Sequence, residues 1–438
     1  MKQNASPLST NPSRHECRSA LQKGLGRTRI WSDAGNLDVD ELTWACVQDL
    51  RYDQQCEDSR FNWLWSILGA GDALERCEPA IWEALTHLTD ERSADQLCKL
   101  AMMYALSGRE RFRKRLFDLV AKKHVEDDLT LGENELIRVA GLDGLVTAVE
   151  KRGERLQYQP WDWDDGLLMR DSIEQFGESV VLDFLQTDGS RLTRLFIDQW
   201  RFHRQREETE LTKASHRERM RSHSLADVLE AAQSDDRCFW LRGWGMHADQ
   251  PDVDEVLRQI EGSDDPAVQQ RLLKVFLRRK LPWISGKLFE LCRSEDEQTA
   301  FFASRALEGN RDSSIRAFAL ECLDDGEVDR GIDLLASNFS SGDETLVLER
   351  VEIPECPDDR HSILMSCRMF LEANEEADAH LLAEMIYEHT PCSLCRTSGV
   401  KLLMRQKQVP EWMLEEVRFD CDEGTRQLFY PQPSQWTG

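Results

Sequence analysis

A chain of 438 residues with 81 acidic against 55 basic side chains carries a formal charge of −26 at neutral pH. Such a charge repels polyanions at long range, so it argues against nucleic acid and anionic membranes as partners and favours a basic peptide or protein. Thirteen cysteines without a dense spacing framework, no apolar core segment in residues 1–36 and no run of about 18 apolar residues lead us to expect reduced thiols, no membrane span and a cytoplasmic protein.

Residues 1–36 are rich in Ser, Asn, Gly and basic side chains and are expected to form a flexible N-terminal tail. Residues 37–200 read as an N-terminal helical region. Leu42, Cys46, Val47 and Leu50 share one helical face, as do Phe61, Leu64, Trp65 and Leu68. Pro79 is expected to open the helix that carries Ile81, Trp82 and Leu85, because a proline at the first helical position forfeits no hydrogen bond. Trp44, Trp63, Trp65 and Trp82 recur at helical spacing and read as core. Ser107-Gly108 breaks a helical hairpin over 93–123. Arg109, Arg111, Arg113, Lys114 and Arg115 then crowd the start of its second helix; they oppose the helix dipole there, so acidic neighbours or a bound anion are expected around them.

Between helical stretches at 133–152 and 166–185 lies an acidic, aromatic loop. Its Trp161, Asp162, Trp163, Asp164 and Asp165 are candidate binding residues for a basic or proline-rich segment; docked tryptophans in a plain turn are the alternative. Asp162, Asp164 and Gly166 imitate the opening of an EF-hand loop, but Ile173 stands where the bidentate glutamate belongs, which argues against calcium. Residues 201–223 alternate arginine with glutamate and read as a charged helix or linker.

From 224 to 430 a helix-start signal recurs about every 30 residues. It is Ser234-Asp235-Asp236, Ser263-Asp264-Asp265, Ser294-Glu295-Asp296, Asp325-Gly326-Glu327 and Pro357-Asp358-Asp359, with Pro391-Cys392-Ser393 in the same register. Asp265 suits an N-cap and Pro266 the first helical position, and Val268, Leu272, Val275 and Phe276 follow on one face. After Leu281-Pro282, Ile284, Leu288 and Leu291 form a second stripe. A lone pair of this kind cannot bury its own apolar face and must stack on a neighbour. The expected fold is therefore all-α, an α-solenoid of stacked antiparallel helix hairpins. Residues 431–438 are left as a C-terminal tail.

Asp265-Pro266-Ala267-Val268 and the stretch from Asp312 to Ala319 resemble the first-helix pattern of the HEAT-repeat family over roughly residues 224–430, although Gln269 replaces the usual arginine. The resemblance implies a HEAT-like superhelix. It also implies a non-enzymatic scaffold or adaptor that binds a peptide or protein on a largely acidic surface, with no cofactor. The alternative it implies is a catalytic HEAT-like protein, DNA glycosylase-like or bilin-attachment-like.

One motif carries chemistry. His389, Cys392 and Cys395 present a Cys-x-x-Cys pair with an adjacent imidazole, a possible zinc ligand set or redox dithiol, or simply packing thiols in the first turn of a helix. The spacing leaves metal binding open, because no second Cys-x-x-Cys completes a ligand set. Neither a phosphate-binding glycine loop, a Gly-x-Ser-x-Gly elbow nor a His-Glu-x-x-His motif occurs.

Overall fold

The structure, a computed structural model, describes residues 8–429 apart from 9, 89, 125, 127–129, 162, 164–165, 210–222 and 235–237. Its regular elements are helices throughout, and no strand occurs among the described residues. None of these helices is long and apolar enough to cross a membrane. The chain forms two compact units, one of residues 1–212 with 410–438 and the other of residues 213–409.

In the first unit, the stretch expected as a tail to residue 36 instead folds into helices Arg14–Lys23 and Arg27–Asp33. Ser13 and Glu16 close a reciprocal capping box, and Gly24, at φ +77°, accepts the left-handed turn that ends the first helix. Cys17, Ala20, Leu21, Leu25 and Trp31 are buried. The basic residues that suggested a solvated tail are partly spent on one acid. Arg14 and Arg18 both reach the buried Glu41, at 2.6 and 3.2 Å.

Pro79 lies inside helix Ala73–Thr86 rather than at its start. Buried Ala73 and Cys77 hold the turns ahead of it, and the Tyr104 hydroxyl donates to the Leu74 carbonyl at 2.9 Å. Packing and this added bond offset the bond a helix-internal proline removes. The arginine cluster has its acidic neighbours on that same helix: Arg109 lies 3.3 Å and Arg111 2.7 Å from Glu78. Arg115 donates to the Leu85 and Thr86 carbonyls, which helix Ala73–Thr86 leaves unsatisfied at its end.

The far end of the chain completes this unit. The Cys421 amide donates to the Gly24 carbonyl at 2.9 Å, and the Trp63 indole donates to the Phe419 carbonyl at 2.8 Å. Arg27 grips Glu416 with two bonds of 2.9 and 2.8 Å, both side chains buried. Gly26 is required here for space, since a Cβ would fall 1.9 Å from the Glu416 carbonyl oxygen.

In the second unit, helices pack on near neighbours in the chain. Glu297–Glu308 packs on Pro266–Leu273 and Val328–Ala336; Val328–Ala336 packs on Ser313–Asp324 and Pro357–Ala373; Pro357–Ala373 packs on His380–His389 and Ser393–Gln406. The recurring start signals sit at helix N-termini. Asp265 accepts from the Ala267 amide, Asp296 from the Thr299 amide, and Glu327, Cys356 and Cys392 occupy N-cap positions. The signal at Ser234 runs into residues 235–237, which lie outside the described residues.

Side-chain amides tie the ends of alternate helices together. Asn310 accepts from the Leu281 amide and donates to Ala306 O in the helix that it follows, Glu297–Glu308. Asn338 accepts from the Asp312 amide and donates to Asn310 O and Leu334 O. Asn374 donates to Ala336 O and Phe370 O, and Gln406 to Ala377 O. Each satisfies backbone groups in two places, and those within the helices are end carbonyls that otherwise lack partners.

Candidate functional site

The chemistry-bearing cluster of the second unit gathers where two helix N-termini meet. Pro391 cannot continue helix His380–His389, and Cys392 caps the next helix, Ser393–Gln406, with Cys395 in its first turn. The Cys392 amide is held by the buried Thr390 hydroxyl at 3.3 Å. Pro357 opens helix Pro357–Ala373, which packs on Ser393–Gln406 and carries His361. The His361 Nε2 lies 3.5 Å from Cys395 Sγ. One ligand atom from each of His361, Cys392 and Cys395 falls within 4.8 Å of the other two. Both cysteines are only 6% exposed, and His361 is half-buried.

The two thiols are unequal. A hydrogen bond from Cys395 holds Cys392 well below the ordinary thiol range against its burial, helped by His361 and by the Cys395 and Leu394 amides. The same bond, together with burial, pushes Cys395 up. Elsewhere burial simply raises thiols, Cys292 to about 11 and Cys322 and Cys367 to about 12. Those are packing cysteines. The pair at 392 and 395 has the chemistry to ligate a soft cation or to form a disulfide by exchange.

His389, the imidazole suggested by the sequence, is the last residue of helix His380–His389, and the cluster found among the described residues draws its imidazole from His361 instead. The aromatic loop divides differently. Trp161 is 80% exposed, while Trp163 stacks on His203 with ring centroids 4.9 Å apart. Trp163 lines a cavity of about 310 Å³ with Gly166, Ile173, Trp200 and His203, and an Arg204–Glu178 ion pair of 2.6 Å stands at its wall. Asp162, Asp164 and Asp165 lie outside the described residues.

A half-buried acid pair carries no sequence signal at all. Arg305 contacts Glu308 at 2.9 Å and Asp333 at 3.6 Å in a cavity of about 410 Å³ that Phe276, Arg279 and Met369 also line. Burial, and then the Asp333 charge, push Glu308 up to about 8 against the pull of Arg305. Desolvation and the neighbouring Asp333 charge outweigh Arg305, so Glu308 holds its proton more tightly than an ordinary carboxyl.

No family model, curated protein or solved structure matches the chain. The partner His361 escaped sequence reading because it stands 34 positions from Cys395. The repeat register is the signal that finds it, since both residues fall near the starts of helices about one repeat apart.

Proposed function

We propose that residues 224–409 form a HEAT-like α-solenoid of stacked helix hairpins, and that the protein is a non-enzymatic scaffold or adaptor holding a basic peptide or protein on an acidic surface. The observation that carries this reading is the run of amide links through Asn310, Asn338, Asn374 and Gln406, each joining a helix end to backbone 26 to 38 positions away. Links of one repeat length are what a quasi-linear stack requires, because each hairpin is completed by the next.

Acidic residues recur with the same period. Asp264, Asp265, Glu295, Asp296, Asp325, Asp358 and Asp359 are exposed at or just before every second helix start, those at Pro266, Glu297, Val328 and Pro357. Stacked hairpins would align them into an acidic strip, a surface complementary to lysine- and arginine-rich sequence. Fluorescence anisotropy of a labelled arginine/lysine-rich peptide against the full chain tests the proposal, with a glutamate-rich peptide and a DNA oligonucleotide as comparators. Only the basic peptide should bind, more weakly as salt rises and more weakly still to an Asp264→Lys/Asp358→Lys chain. Binding of the oligonucleotide, or equal binding of both peptides, would reject it.

A further inference from the structure

We propose that His361, Cys392 and Cys395 bind one zinc ion. In tetrahedral zinc, bonds of about 2.3 Å to sulfur and about 2.0 Å to nitrogen place a thiolate and an imidazole about 3.6 Å apart. The observed separation of His361 Nε2 and Cys395 Sγ is 3.5 Å, and all three ligand atoms fit within 4.8 Å. The three side chains therefore stand close to the spacing of a ligand set, and they come from two helices that pack together.

Charge and access favour a metal over a working dithiol. Two thiolates balance a dication, so the loaded site is neutral, which a mostly buried position demands. Disulfide exchange requires an incoming thiolate to reach a sulfur, and both cysteines are 6% exposed. The Leu394 and Cys395 amides face the Cys392 sulfur. They would orient and stabilise a bound thiolate as outer-shell donors do. Three protein ligands leave the fourth zinc position to water. The inference is independent of the scaffold reading, since a solenoid needs no metal and a metal site needs no partner.

The test loads the reduced, metal-free full chain with Co²⁺ and reads its absorption spectrum. One equivalent should give a thiolate-to-cobalt charge-transfer band and the intense d–d bands of tetrahedral cobalt, and Zn²⁺ should bleach both. Cys392→Ser, Cys395→Ser and His361→Ala should each lower zinc affinity by at least about tenfold, the scale already seen for outer-shell changes. Cys356→Ser, at an exposed thiol beside the same helix, and His389→Ala should leave the spectrum unchanged. Should a ligand variant fail to fold, zinc stoichiometry of the wild-type chain still decides. A wild-type chain without the charge-transfer band would overturn the proposal. So would a band that survives Cys392→Ser, or glutathione disulfide closing the Cys392–Cys395 disulfide equally fast with and without Zn²⁺.

Discussion

The two units close over different distances along the chain. In the first, a buried ion pair joins residues 389 positions apart, Arg27 and Glu416, and brings the end of the chain onto its beginning. In the second, neutral amides join backbone 26 to 38 positions apart, from Asn310 to Gln406. A charged clasp concentrates the energy of closure in one place, because losing either partner strands a buried charge. A chain of amides spreads it, since each contributes the modest net value of ordinary hydrogen bonds. Stability should therefore fail abruptly in the first unit and by increments in the second.

The sharpest way to break this contrast is Glu416→Ala. It leaves the Arg27 guanidinium, 6% exposed, without its carboxylate, and should cost about 3–5 kcal/mol. Hydrogen exchange read unit by unit checks this, because a chain of two units need not unfold in one step. Residues 14–33 should lose protection while residues 266–406 keep it. A paired Arg27→Met/Glu416→Leu exchange should recover much of the loss, as apolar replacement of buried ion pairs does.

Glu308 supplies a pH-dependent contrast within the second unit. Its folded value of about 8 lies above the ordinary 4.5, so the folded state keeps a proton that the unfolded state releases. Its contribution is therefore fully present below 4.5 and fades as pH rises to about 8. Urea unfolding followed across that range should show stability falling with pH, and Glu308→Gln should flatten the slope. An unchanged slope would mean that Arg305 already keeps the carboxylate ionised.

Smaller effects test the incremental side of the comparison. Asn338→Ala removes the bonds to the Asp312 amide and the Asn310 carbonyl and should cost about 0.5–1.5 kcal/mol. Asp265→Ala removes one N-cap, the bond to the Ala267 amide, and should cost about 1 kcal/mol. Denaturant midpoints compared at constant slope give both values.

What could be read from the residues follows the same division. Helix starts in 263–392 were legible because Asp265, Asp296 and Pro357 mark an N-terminus by local chemistry alone. The Cys392–Cys395 spacing was legible for the same reason. Helices Arg14–Lys23 and Arg27–Asp33 were hidden, since Arg27 looks solvated until Glu416 arrives from the other end of the sequence. Pro79 misled because its helix is held by Cys77 packing and by Tyr104, neither of which has a local signature. His361 and the Glu308–Asp333 pair belong to contacts between hairpins, which only three-dimensional packing assembles.

The claim beneath both the scaffold proposal and the contrast is that residues 224–409 are held hairpin by hairpin. Hydrogen exchange of the Asn338→Ala chain tests it most directly. A stack predicts deprotection greatest in helices Glu297–Glu308, Ser313–Asp324 and Val328–Ala336, fading toward Pro266–Leu273 on one side and Ser393–Gln406 on the other. Equal deprotection from residue 225 to residue 406 would contradict it and indicate one shared core.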